Sequence, residues 1–217
     1  MTLSERLFDI ANIGAEWVLW LLLSLSVISV AVMAERAVFL IRRGVDVYSL
    51  REKLAVMLDN GKFDAAAAEF QKNDTMETRV LCAGLKRRRL GYRAVNELMS
   101  GALVGQKQRY EKRLPFLATL GSNAPFIGLF GTVLGIIKAF AVFDINGGPE
   151  ASSGIMSAIS EALIATGVGL LVAIPAVVAF NIFSSKIKRS MGNTEQLSRT
   201  LLAFLSQASE TAPRRTE

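Results

Sequence analysis

Residues 162–185 read ALIATGVGLLVAIPAVVAFNIFSS, and none of these 24 residues is charged. Crossing roughly 30 Å of hydrocarbon takes about 20 mostly apolar residues in a helix, so this run can span a bilayer on its own. Two more stretches share the pattern: 114–137, LPFLATLGSNAPFIGLFGTVLGII, and 17–34, WVLWLLLSLSVISVAVMA, of 24 and 18 residues. The whole chain has 217 residues, 51% of them apolar, which an ordinary globular domain also shows, so the clustering of apolar residues decides the class. It predicts an all-α polytopic membrane protein with three transmembrane helices, at 17–41, 114–143 and 157–185. Two of them are expected to extend into a helical cytoplasmic region.

A cleaved signal peptide is the rival for the first run, since Val32-Met33-Ala34 could serve as a small-residue cleavage site. The flanks argue against it. Glu5, Asp9 and Glu16 outnumber Arg6 before the run, and the basic pair Arg42-Arg43 comes after it. Lysine and arginine accumulate on the cytoplasmic side of membrane helices. Residues 1–16 and 144–156 share one side and hold one basic residue, whereas 42–113 and 186–217 hold sixteen and six. The expected orientation is therefore amino terminus outside and carboxyl terminus in the cytoplasm, with Trp17 and Trp20 as anchors at the outer interface.

This asymmetry also accounts for most of the net charge of +6. The run Lys86-Arg87-Arg88-Arg89 is accompanied by no nucleic-acid recognition motif, so no nucleic-acid partner is expected. Cys82 is the only cysteine, which excludes an intrachain disulfide and a cysteine metal cluster. There is no histidine, so proton handling falls to carboxylates, hydroxyls and water. No cofactor is expected.

Outside the spans, Leu3, Leu7, Phe8, Ile10 and Ala11 predict an amphipathic helix on the outer surface within 1–16. The 42–113 region reads as helices: Val45–Leu58, stopped by Asn60-Gly61; Phe63–Phe70; and a third capped by Asn73-Asp74-Thr75. Gly91 marks a break, after which a long helix from Ala94 is expected to run straight into the second span. Residues 144–156, with Gly147-Gly148-Pro149, predict a periplasmic turn. Apolar residues Ile187, Met191, Leu197, Leu201, Leu202 and Leu205 predict a helical cytoplasmic tail over 186–217.

Small residues bring membrane helices close. Gly128, Gly131 and Gly135 in the second span, and Ala158, Ala162, Ala165, Gly169 and Ala173 in the third, are expected to pack helices tightly. Most of these contacts fit packing within one subunit, and their abundance suggests an oligomer besides. Pro125 and Pro175 should bend or open their helices, with Ser122, Asn123, Thr132 and Thr166 available for the freed carbonyls. Glu161 is the candidate functional residue, because a carboxylate inside a span faces protein or water and is costly to keep. Thr166 lies five residues on, about 140° around the helix. Lys138 stands at a comparable depth and either snorkels to the interface or pairs with Glu161.

Two of these stretches carry a family resemblance. Residues 120–137, LGSNAPFIGLFGTVLGII, and 160–176, SEALIATGVGLLVAIPA, resemble the A-P-x-I-G-L-F-G-T-V-x-G-I and E-A-L-x-A-T-x-x-G-L-x-x-A-I-P-A motifs of the MotA/TolQ/ExbB proton-channel family, nearest its ExbB/TolQ branch. The resemblance implies a homopentamer in a bacterial inner membrane around two copies of a single-span ExbD/TolR-like protein that carries the intramembrane aspartate. It implies Thr132, Glu161 and Thr166 as lining of a proton pathway, and Lys138, a departure from the better-known branches, as a modulator. Ser160 is a second departure. The implied function is a proton-conducting stator, not an enzyme, of a proton-motive-force-driven motor. Such motors work at the cell envelope in nutrient uptake, envelope maintenance, and gliding or other surface motility. The alternative from another class is a non-conducting membrane scaffold in which Glu161 only fixes helix register. A small-solute transporter fits poorly, since three spans enclose little cavity and no inverted repeat is visible.

Overall fold

Helix α1, Glu16–Arg42, is 27 mostly apolar residues, with an acidic residue in its first turn and a basic one in its last, the polarity that a helix dipole favours. The computed structural model describes residues 16–146 and 149–210, with side chains from 16 to 141 and from 154 to 207. The amphipathic helix expected over 1–16 thus lies outside the described residues, apart from Glu16, which opens α1. Every element in the described residues is helical: α2 Val47–Asp59, α3 Phe63–Gln71, α4 Met76–Lys86, a 3-10 turn Arg88–Leu90, α5 Tyr92–Glu111, α6 Leu114–Asn146 and α7 Pro149–Glu210. Three of them, α1, α6 and α7, contain segments long and apolar enough to cross a membrane.

The chain forms two compact units. One holds the chain up to Arg36 together with Arg113–Ile182. Its core joins Val18 and Leu22 of α1, Leu120, Ala124 and Leu134 of α6, and Val172, Ala173 and Ala176 of α7. Trp17 sets its ring edge-on to Phe130, 6.1 Å between centroids. Outward from this core, large apolar side chains such as Trp20, Phe126, Phe140, Leu163 and Leu171 stand exposed, as a surface facing lipid or other apolar helices requires.

The other unit holds Ala37–Lys112 and the chain from Phe183 on. Leu50, Leu54 and Leu58 of α2 meet Ala66, Ala67 and Phe70 of α3, Val80, Leu81 and Leu85 of α4, Val95 and Met99 of α5, and Leu197, Leu201 and Leu202 of α7. Local sequence explains the boundaries. The Asp46 side chain accepts from the Tyr48 N–H at 3.1 Å to start α2. Gly61, at φ +67°, takes the left-handed turn that follows it. Thr75 and Thr78 cap each other's backbone N–H groups at 3.3 Å to start α4.

The structure departs from the sequence reading at two places. The helix expected to run unbroken from Ala94 into the second span is interrupted: α5 ends at Glu111, Arg113 adopts φ +69°, and α6 starts at Leu114. Pro115 explains this, because proline belongs in a first helical turn, where its missing N–H is not needed. The turn expected over 144–156 is helical at both ends, with α6 reaching Asn146 and α7 starting at Pro149, again with proline opening the helix. Helices α6 and α7 continue through Pro125 and Pro175. Helix α7 is 62 residues long, about 93 Å at 1.5 Å per residue, and supplies buried side chains to both cores.

Candidate functional site

Close approach of α6 and α7 positions the candidate residues. A Cβ placed on Gly128 would lie 2.7 Å from the Ala165 carbonyl oxygen, one on Gly131 would lie 2.7 Å from the Ala165 Cβ, and one on Gly135 would lie 2.5 Å from the Ala162 Cβ. From the other side, a Cβ on Gly169 would lie 2.7 Å from the Ala124 carbonyl oxygen. The small residues singled out in the sequence are therefore consumed within one chain. Their abundance thus carries no argument for an oligomer.

This seam brings the Lys138 ammonium to 3.5 Å from Glu161 Oε2, with the two side chains 34% and 23% exposed. Lys138 thus turns toward Glu161, which answers the alternative of simple snorkelling. The ammonium takes one carboxylate oxygen only. Among the described residues, Glu161 Oε1 is buried with no hydrogen-bond partner, and so is the Thr166 hydroxyl. Thr132 differs, since its hydroxyl donates to the Leu129 carbonyl at 2.6 Å. The site therefore offers a carboxylate oxygen and a hydroxyl with unused hydrogen-bonding capacity on α7, and an ammonium from α6. Chemically it can accept a proton at Oε1 or hold a polar partner.

The expectation that side chains would satisfy the carbonyls freed by proline is not met in the described residues. Pro125 leaves the Gly121 carbonyl without its usual donor. Ser122 instead donates to the Ala118 carbonyl at 3.0 Å, and Asn123 to that of Thr119 at 2.8 Å. Thr166 makes no such bond.

Three polar features were not visible in the sequence. Asp74 accepts from Arg43 at 2.9 Å, from Arg109 at 2.7 Å and from Arg79. Arg109 foremost, with Arg43 and Arg79, holds the Asp74 carboxyl well below the usual carboxylate range. Glu77, 2% exposed, accepts from the Ser190 hydroxyl at 2.5 Å through Oε1, while its Oε2 has no hydrogen-bond partner among the described residues. Glu35 takes Arg36 at 2.5 Å and Arg113 at 3.1 Å, which lets the largely buried Arg36 lie at the end of an apolar run. Spacing does not signal the distant pairings among them, because partners such as Glu77 and Ser190 stand 113 residues apart.

Comparison with known proteins gives a consistent picture. The family model described as "MotA/TolQ/ExbB proton channel family" matches residues 72–196. The chain is 32% identical over 193 residues to the Tol-Pal system protein TolQ of Haemophilus influenzae, covering 83% of this chain and 84% of that one. It is 42% identical over 99 residues to TolQ of Pseudomonas aeruginosa, 45% of this chain and 42% of that one. It is also 40% identical over 90 residues to the biopolymer transport protein ExbB of Xanthomonas campestris pv. campestris, 42% of this chain and 35% of that one.

Proposed function

The chain belongs to the MotA/TolQ/ExbB proton channel family, and from that premise we propose that it is the proton-conducting stator subunit of a proton-motive-force-driven motor at the cell envelope. The observation that carries conduction is Glu161: a carboxylate inside an apolar span with Oε1 buried and, among the described residues, unpartnered, on the same helix as the likewise unpartnered Thr166 hydroxyl. An intramembrane ionisable group with spare capacity is what a proton path needs. Thr132 lies on the facing helix, and we assign it to the same lining.

In the same reading the chain sits in a bacterial inner membrane, amino terminus outside, as five copies around two single-span partners of the ExbD/TolR kind. Those partners supply the intramembrane aspartate to which protons pass. The rival is a non-conducting scaffold, favoured by one observation: Lys138 pairs with Glu161 across α6 and α7, which by itself fixes helix register.

Native mass spectrometry of the detergent-purified chain, alone and co-expressed with a candidate partner, tests the assembly. Five copies that capture two partners support the stator; a monomer or dimer that ignores every such partner sinks it. Proton flux in liposomes then separates conduction from scaffolding, because Glu161→Gln abolishes it in the first case and spares the assembly's work in the second.

A further inference from the structure

Resting on the proton-path reading above, we infer that Lys138 is the selectivity residue of that path: its ammonium bars alkali cations from Glu161 while leaving the carboxylate open to a proton. Three observations place it there. The ammonium lies 3.5 Å from Glu161 Oε2, so one of the two carboxylate oxygens is already engaged. The other, Oε1, is buried with no partner among the described residues. Among the described residues, neither Lys138 nor Glu161 has a second ion-pair partner, so the pair is neutral as it stands.

A hard cation is held by a shell of several oxygen ligands, which must replace its water before it enters a span. Here the only charged oxygen left is Oε1, and it stands beside a fixed positive charge. The neutral pair exerts little pull on a sodium ion, and the nearby ammonium repels it directly. A proton has no such needs. It forms one O–H bond at Oε1 using a lone pair already free there, Lys138 keeps its own proton, and the site gains one positive charge. Release reverses the step: the O–H bond breaks, the electron pair returns to Oε1, and the proton passes to the next acceptor. The flexible four-carbon stem of Lys138 lets the ammonium withdraw while Glu161 is neutral and return when it is charged.

Removing Lys138 would leave a half-buried carboxylate with no ion-pair partner among the described residues and the Thr166 hydroxyl on the same helix, a site with net negative charge and more oxygen ligands to give. The test uses the chain co-purified with its single-span partner in liposomes under an imposed potential, with proton flux read by a pH dye and sodium uptake by radioactive sodium. The wild type is expected to carry protons with sodium uptake at the level of empty liposomes. Lys138→Met should raise the ratio of sodium uptake to proton flux by about tenfold or more, and Lys138→Arg should keep the wild-type ratio. Should Lys138→Met fail to insert, Lys138→Gln takes its place, and sodium retained by the detergent-purified chain in equilibrium dialysis reports the same change without flux. An unchanged ratio and unchanged sodium retention overturn the inference, as does sodium uptake by the wild type. Glu161→Gln separates the two levels: if it conducts protons like the wild type, the proton-path reading itself falls, whatever Lys138 does.

Discussion

A methyl group on Gly128 would lie 3.0 Å from the Thr166 Cα as well as against the Ala165 carbonyl, both backbone atoms that cannot turn aside. Gly128→Ala must therefore push α6 and α7 apart, and thermal unfolding in detergent should show a loss of about 1–3 kcal/mol. Gly167, on the same helix, has nothing within 4 Å of an added Cβ. Gly167→Ala should be neutral or gain up to about 1 kcal/mol from helix propensity, so the pair of variants separates seam geometry from glycine content. The glycine pattern was legible in the sequence, but its use within a single chain was not, since spacing marks a face and not what covers it. Asp74 makes the same point with charge. Arg43 and Arg109 read as topology signals, yet both close on one carboxylate. A folded-state carboxyl below its unfolded value gives stability that is present above about pH 4 and lost as the pH falls from there. Helicity followed through an acid titration should show Asp74→Asn lacking that part of the acid limb. The Asp74 side chain is 43% exposed, so the difference is expected at about 1 kcal/mol or less.

At the scale of elements, the link between α5 and α6 is two residues long, and one of them is strained. Arg113 holds φ +69°, a conformation that costs a non-glycine residue about 1–2 kcal/mol. Its guanidinium meets Glu35 at 3.1 Å from a half-exposed position, worth about 0–1 kcal/mol. Arg113→Gly exchanges the second for relief of the first and should stay within about 1 kcal/mol of the wild type, whereas Arg113→Val should destabilise by about 2 kcal/mol. Chemical denaturation of both variants checks this. The break itself was half legible. Pro115 marks a helix start, but an arginine in the left-handed region carries no sequence signal, which is why a continuous helix was the natural expectation. The three apolar helices were legible in full, because charge-free runs of 18 to 24 residues admit few other readings. The helical extension of α7 past Ser185 was legible in its apolar spacing, but the burial of Leu197, Leu201 and Leu202 in the second core was not.

At the scale of the whole molecule, two cores share one continuous helix, and the question is whether they open together. Cys82 can report on one of them. It is the only cysteine, it is 8% exposed in the second core, and its sulfur lies 3.5 Å from the Ala67 carbonyl oxygen. Burial pushes its thiol up, so reactive thiolate is scarce while that core is closed. Alkylation of Cys82, followed by mass spectrometry, therefore tracks opening of the second unit. Ser190→Ala removes the hydroxyl that serves Glu77 Oε1 and leaves the buried carboxylate with neither oxygen bonded to a side chain in the described residues, at a cost of about 1–3 kcal/mol. Labelling of Cys82 should then accelerate by roughly fivefold to a hundredfold, since each 1.4 kcal/mol is about a factor of ten in the opening equilibrium. Gly128→Ala acts in the other unit. If the two cores open independently, it leaves the Cys82 rate at the wild-type value while lowering the thermal stability of the spans. If it accelerates labelling as much as Ser190→Ala does, α7 transmits opening from one core to the other.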